Sequence, residues 1–489
     1  MSLGAWLWII TIAMCSVFLV ISLKVKKQAQ SSFLNYAIGG KSFPIHLILF
    51  TQFATIMGVG NFIGHAGKGY EVGLPWLAFI LGEQGSKIIF ALFFAGLAGK
   101  FTYSTFPEMI DDIIARDKIS RALGGILASM IMIAWVGGQG RAFGHIFNIV
   151  TGVEPIPIII LFTVAFIVYT TLGGVYSVVW TDLFQGILVL IFGTAFYIYA
   201  FSPVNWSFVE LGARLTEVGR AELWTFSGTN GVELLTKFVT GCIGILVAQI
   251  YWQRCFAAKD KKTARNGLLW SGIVAIIFVI LTALVGMVIL TLNSGLKPDD
   301  AMPWFMLNYV PTGMAAMIFA LVLAAGMSSA DSNLNSASVL VTNDLVKPFR
   351  KDMTDAQLVK CSKALTIVIG IFACVSAIYA QSILSLFSRA YAMAGGGLVP
   401  LLVVGLLWKE RKSEAFEMGT KNSKVTPWAA RVGIVTGAVL TQIPALGPNR
   451  VLIALAVSAL LIVVISLFTK IPPPQVQEEE IMENLSVEG

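Results

Sequence analysis

Charged residues are scarce in this 489-residue chain: Asp, Glu, Lys and Arg make up 12% of it, about half of the ~25% usual in a globular domain. Histidine is scarcer, at three residues, and the five cysteines (Cys15, Cys242, Cys255, Cys361, Cys374) lie in or beside apolar runs with no CxxC pair. Neither a zinc site nor a disulfide framework is expected from such spacing. The net charge of +7 does not indicate nucleic acid, because the 34 Lys and Arg are dispersed between apolar runs and form no basic face. Lipid headgroups suit that distribution better. What the chain has in abundance is apolar surface: 56% hydrophobic residues and a mean hydropathy of +0.80. No water-soluble fold hides that much, so the composition reads as an all-α protein crossing a bilayer many times. No soluble catalytic segment and no pairing of nucleophile with base inside the apolar runs points to an enzyme.

A helix needs ~20 mainly apolar residues to cross ~30 Å of hydrocarbon. Thirteen such runs are expected, at about 4–23, 44–67, 74–99, 121–149, 155–171, 177–201, 234–254, 267–293, 313–342, 361–380, 384–408, 427–445 and 450–469. Basic residues follow the first run rather than precede it, which argues against a cleaved signal peptide. Thirteen crossings place 25 of the 34 Lys and Arg on one side and five on the other, with four in or at the edges of spans. The positive-inside rule makes the rich side cytoplasmic, with the N-terminus outside and the C-terminus inside the cell membrane. The acidic tail 471–489 reads as a disordered cytoplasmic end. The segment 202–233 is either a plain external loop or one carrying a short amphipathic helix, and 106–118 has the helical periodicity of an interfacial segment.

Three spans break the rule that a lipid-facing helix is apolar and regular. In the second, Gly58, Gly60 and Gly64 lie within Met57-Gly58-Val59-Gly60-Asn61-Phe62-Ile63-Gly64. Each lowers helix propensity by ~1 kcal/mol, enough for an unwound stretch near mid-membrane, although Gly60 and Gly64 also fit close helix packing. In the ninth, Ala325, Ser328, Ser329, Ser332 and Ser336 share a stripe ~110° wide at 100° per residue, with Asp331 at its border. Serines in membrane helices often only bond back to the preceding turn, but a mid-membrane carboxylate needs a cationic or proton-sharing partner. Oxygen ligands of this kind suit a small hard cation such as Na⁺. In the sixth, Asp182 and Gln185 are neighbours one turn inside the boundary, where Asp182 would also complement a helix dipole.

These segments resemble the sodium/solute symporter family. The resemblance rests on Phe62-Ile63-Gly64 followed by Gly69-Tyr70 and Gly73, on Gly173-Gly174 through Trp180-Thr181-Asp182 to Gln185, and on Gln253-Arg254 with Ala257-Ala258-Lys259. It rests also on Ser328-Ser329, Asp331-Ser332 and Thr342-Asn343-Asp344, and on Gly395-Gly396-Gly397. It implies the leucine-transporter fold: an N-terminal extra helix and loop (1–43), a five-helix repeat (44–201), an external loop (202–233), an inverted five-helix repeat (234–408) and two C-terminal helices (409–470). Discontinuous helices would interrupt both repeats, with Gly241 and Gly244 marking the break in the second. By position, the family's sodium site maps to carbonyls of Ala54, Met57 and Ala325 and hydroxyls of Ser328 and Ser329. A second cation position maps to Asp182, Ser328, Asp331 and Ser332.

The same resemblance puts the solute beside the breaks, where Asn61, Glu83, Gln84, Gln139, Arg141, Gln249 and Ser388 are candidate contacts. Arg141 fits a carboxylate on the solute, an acidic residue of the chain, or snorkelling to the interface. Lys87 lies one turn after Glu83 and fits an ion pair with it. The expected activity is sodium-coupled import of a small organic solute by alternating access, with sodium as the coupling ion, the bilayer and the solute as partners, and no obligate protein or nucleic-acid partner. A proton-coupled carrier of the same fold, with Asp182 or Asp331 as relay, and a transporter-like sensor are the competing readings.

Overall fold

The computed structural model describes residues 2–56, 58–100, 102–350, 352–380, 382–409 and 423–470. Met57, the loop 410–422 and the tail 471–489 lie outside them. Among the described residues the chain is helical, and its principal elements are α1 (Leu3–Ala29), α2 (Ile45–Ile56), α3 (Val59–Val72), α4 (Leu77–Ile89), α5 (Lys118–Thr151), α6 (Pro155–Ala200) and α7 (Gly231–Val247). They continue as α8 (Gln249–Ala257), α9 (Lys261–Leu292), α10 (Thr312–Leu340), α11 (Asp355–Tyr379), α12 (Ile383–Leu407), α13 (Pro427–Leu440) and α14 (Arg450–Phe468).

Short polar side chains set many of the helix starts. Asp117, Asp260 and Thr426 each accept a backbone N–H of the first turn, and Thr354 and Ser382 form reciprocal capping boxes. Such caps satisfy donors that no intrahelical carbonyl can reach. Large apolar side chains stay exposed on the outer helices, including Ile12, Phe372, Leu467 and Phe468, a band that hydrocarbon rather than water can solvate. α10, by contrast, is buried along almost its whole length. It is the central post against which α3, α5 and α6 pack.

Nine unbroken helices are long and apolar enough to span a membrane among the described residues, and two bent pairs bring the number to eleven. The thirteen expected crossings differ from this in two places. The runs expected at 155–171 and 177–201 form one continuous course over Pro155–Val204, turned at Gly174, whose φ of 49° and ψ of −152° are not helical. At 1.5 Å per residue its 50 residues reach about 75 Å, far beyond one ~30 Å crossing. The twelfth expected run gives only the 14-residue α13. The 202–233 segment contains a helix, Phe208–Glu217, that buries Leu211 and Leu215, so the helical alternative for it is the one formed.

Candidate functional site

α2 and α3 are one crossing interrupted, their axes bent by 51°. Gly58, between them, has an extended ψ of 153°. A break of this kind leaves the last carbonyls of α2, Ala54 among them, without a partner one turn ahead, and strips the first N–H groups of α3. Gln139 on α5 answers part of that need, its Oε1 accepting from Gly60 N at 3.0 Å. Gly58 has no room for a side chain: a Cβ there would lie 2.8 Å from Ser329 Cβ and 2.9 Å from Gln139 Oε1. The break therefore touches α10 at the hydroxyl ladder. Ala54, Ala325, Ser328 and Ser329 are all buried, and carbonyl and hydroxyl oxygens are of the hard kind that suits a small cation. Met57, the fifth expected ligand, falls outside the described residues.

The second break does not fall where the sequence suggested. α7 runs unbroken through Gly241 and Gly244, and the chain bends by 43° at Ala248 instead. Gly241 and Gly244 are packing positions, where a Cβ would strike the backbone of α4 at Phe79 and Glu83 and the ring of Tyr391.

Asp182 sits in α6, eight residues beyond the Gly174 turn, and is fully buried. Its carboxylate accepts from Thr51 of α2 and from Ser328 of α10, and Ser332 approaches at 3.5 Å. Three of the four side chains expected for a second cation are thus together. Asp331 is buried beside them but neither of its carboxylate oxygens accepts a hydrogen bond. The guanidinium of Arg254, from α8, completes the cluster at 3.6 Å from Asp182 Oδ2.

Next to the break, Asn61, Gln84, Gln139 and Ser329 converge with Glu83, Asn333 and four aromatic rings (Trp135, Tyr251, Phe387, Tyr391) around a cavity closed down to about 10 Å³, the room of a single water. Glu83 Oε1 accepts from Tyr391 at 2.8 Å and Oε2 from Gln84 Nε2 at 2.7 Å, with His65 Nε2 at 3.2 Å. Lys87 does not reach Glu83 directly; its ammonium donates to Gln84 Oε1 and stands 5.5 Å over the Tyr251 ring. Asn333 donates to Ser329 O and leaves its own Oδ1 unpartnered.

Three expected solute contacts lie elsewhere. Arg141 lines a separate vestibule of about 730 Å³ on the Lys/Arg-poor face, with His145, Lys68 and Lys297. Gln249 is spent on the opposite face, where Oε1 accepts from Phe106 N at 2.8 Å and Nε2 donates to Ser104 O at 3.0 Å. Ser388 does not line the cavity. Beside Gln249, Arg121 donates to Asp344 at 2.8 Å, and Thr105 does so at the same distance. These bonds join the 104–106 segment to α8 and to Asp344, just beyond α10, on the Lys/Arg-rich face, while the other face opens on a vestibule.

Thr51, Asn333 and the four rings had no signal in the hydrophobic pattern, since aromatic residues are ordinary in membrane helices. Arg254 is read from sequence as the polar end of a span, and only the bend at Ala248 folds it back under α10.

Comparison with known proteins agrees with this geometry. A sodium/glucose cotransporter of Vibrio parahaemolyticus is 24% identical over 81% of this chain and 78% of its own. The sodium/sialic acid symporter NanT of Aliivibrio fischeri is 22% identical over 82% of each. Among solved structures, a Na⁺-coupled sialic acid symporter in a substrate-bound outward-open state superposes with a TM-score of 0.79 at 20% identity, covering 95% of this chain and 98% of that one. Mhp1, a nucleobase-cation-symport-1 family transporter, gives 0.61 at 17% identity over 88% and 93%. The family model described as sodium:solute symporter family matches residues 36–417. With four-fifths of its length accounted for in this way, and with a broken crossing set against a serine-lined one, the chain belongs to the sodium:solute symporter family and is a sodium-coupled transporter, not an enzyme.

Proposed function

We propose that the coupling sodium binds between the α2–α3 break and α10, held by Ala54, Met57, Ala325, Ser328 and Ser329, and that it drives a small polar solute inward through the cell membrane. The observation that carries this reading is the contact of Gly58 with Ser329, which brings released carbonyls and paired hydroxyls within reach of one ion. The N-terminus lies outside, the Lys/Arg-rich face is cytoplasmic, and the residues 44–201 and 234–408 are two inverted repeats, a division supported by one bent crossing in each. Each charge moving down ~100 mV releases ~2.3 kcal/mol, which is roughly a 50-fold accumulation.

The solute binds in the cavity of Asn61, Gln84 and Gln139, with Glu83 and Asn333 as acceptors and the rings as walls. Among the described residues no cationic side chain lines that cavity; a carboxylate-bearing solute would meet Arg141 in the vestibule on its way in. Curated relatives named for glucose, sialic acid and pantothenate have solutes that bear hydroxyl groups. Sodium bridging the break to α10 favours the state with the vestibule open, and its loss to the cytoplasm frees the break to move.

A thermal-shift screen of sugars, amino acids and organic acids, with and without sodium, identifies the solute. Uptake into proteoliposomes then tests the site: Ser329→Ala raises the sodium concentration for half-maximal uptake by about 10-fold or more, the equivalent of ~1.4 kcal/mol. Unchanged sodium dependence at equal protein would overturn the site. Asp331, buried with no hydrogen bond to its carboxylate, favours proton coupling as the second reading; uptake in sodium-free buffer across a pH step would establish it.

A further inference from the structure

α3 ends where Gly73 takes a φ of 72°, a backbone turn that favours glycine, and the short turn Leu74–Trp76 follows. The chain doubles back there, and Trp76 comes to lie beside His65 of α3. Trp76 stacks on Phe79 with ring centroids 4.5 Å apart, and its Nε1 donates to His65 Nδ1 at 3.0 Å. An indole N–H only donates, so His65 Nδ1 accepts and carries no proton. The single proton of the neutral ring is then on Nε2, which stands 3.2 Å from Glu83 Oε2 in the wall of the solute cavity. His65, Trp76 and Glu83 are all buried.

We propose that Trp76 is a positioning residue of the solute cavity: it holds His65 as the neutral, Nε2-protonated tautomer and so keeps a positive charge from forming beside Glu83 in acidic surroundings. The proposal rests on the reading of this cavity as the solute site and deepens it, because it names what fixes the charge of one wall. A second proton on the imidazole would have to sit on Nδ1, facing the indole N–H, and would leave two buried donors opposed and without an acceptor. An imidazolium 3.2 Å from Glu83 would also take the carboxylate as its own ion-pair partner. The solute's hydroxyl or amine donors would then find a weaker acceptor.

The other charged and titratable groups nearby leave this task to His65. Lys87 of α4 donates to Gln84, and Tyr391 of α12 donates to Glu83 Oε1 at 2.8 Å. On the vestibule side Lys68 is paired with Glu71 at 2.5 Å, and His145 of α5 lies 2.6 Å from Asp300. Arg141, Lys297 and Asp299 complete the charged wall there. His65 is thus the neighbour of Glu83 that mild acid could turn into a cation.

The chain has three histidines, so ¹⁵N-histidine NMR on the full protein in lipid reads the tautomer directly, the His65 signals being those that persist in both His46→Gln and His145→Gln. The unaltered protein shows a bare Nδ1 and a protonated Nε2 at pH 8 and at pH 5.5. Trp76→Phe, which keeps an aromatic ring on Phe79 but has no N–H, shows both nitrogens protonated at pH 5.5. A proton on Nδ1 of the unaltered protein at either pH overturns the proposal whether or not any variant folds, as does a Trp76→Phe protein whose Nδ1 stays bare. The effect on binding is read by thermal shift with a panel of sugars, amino acids and organic acids. Between pH 8 and 5.5 the apparent affinity for the stabilising compound falls about 10-fold in Trp76→Phe, since one unit below ~6.5 only about a tenth of an ordinary imidazole is uncharged. Adding His65→Gln to Trp76→Phe, which removes the titrating ring, flattens the profile again, a rescue that a merely structural role would not give. A locked tautomer in a protein whose Trp76→Phe affinity ignores pH would instead overturn the placement of the solute in this cavity, a result distinct from failure of the lock.

Discussion

Asp117 shows how much a single carboxylate can tie together at the membrane surface. It caps α5 by accepting from Ser120 N at 2.8 Å, and it receives both Nε and Nη2 of Arg431 at 2.8 and 2.6 Å. The fork-on-carboxylate geometry joins α5 to α13. Burial works against the charge on Asp117, but the hydrogen bonds from Arg431 and Ser120 outweigh it and hold the carboxyl below its usual range. A carboxylate depressed in the folded state stabilises it above the unfolded value of ~3.9, and that contribution disappears as the pH falls through the lower folded value. Asp117→Asn therefore melts at a lower temperature than the parent at neutral pH, and the gap closes only well below pH ~4. A gap that closed between pH 7 and 5, or none at all, would refute the role. At this same scale the serine stripe of α10 was legible, because helical periodicity alone aligns Ser328, Ser329 and Ser332. Arg254 was not legible as their neighbour, because its place depends on a bend at Ala248 that no glycine or proline announces. The two glycines that did stand out, Gly241 and Gly244, serve close packing instead, a use that leaves the same trace in a sequence as a break does.

Among the elements, the course from Pro155 to Val204 depends on one residue. Gly174 has φ of 49° and ψ of −152°, a combination that L side chains resist, and a Cβ there would also press on Tyr36, 2.8 Å from its ring and 2.9 Å from its carbonyl oxygen. The turn sets the direction in which the second half of α6 leaves, and hence where Asp182 meets Thr51 and Ser328. Gly174→Ala combines strain of ~1–3 kcal/mol with that collision. The expected outcome is a thermal midpoint lowered by several degrees and sodium-induced stabilisation reduced or lost. An alanine variant with parental melting and parental response to sodium would show that the turn is incidental. Hydropathy located both halves of this course but not their continuity, since a window of apolar residues reports where lipid is tolerated and says nothing about whether the helix between two windows unwinds. It located α13 for the same reason while overstating its length.

For the whole molecule, the relevant quantity is the balance between a closed Lys/Arg-rich face and an open one. Gln249 contributes to that balance without touching the solute cavity: its amide both accepts from Phe106 N and donates to Ser104 O. It stands at the start of α8, the half of the second bent pair nearer the Lys/Arg-rich face, so opening that face must part it from the 104–106 segment. Two net hydrogen bonds of ~1 kcal/mol each favour the closed state by roughly 10- to 30-fold in population. Gln249→Ala removes them while leaving the ligands proposed for sodium in place. With the native cysteines replaced by serine and a reporter introduced as Ser104→Cys, at a position only 7% exposed, labelling by a thiol reagent from the Lys/Arg-rich face follows the open population when opening and closing are fast. Labelling rises about 10-fold in the Gln249→Ala background, and saturating sodium suppresses it, because an ion that joins the α2–α3 break to α10 binds the state in which this face is shut. A rate equal to the parent's would mean that Gln249 holds nothing closed. A raised rate that ignored sodium would mean that the ion site and the inner closure are not coupled, which is the one linkage a sodium-driven carrier cannot do without.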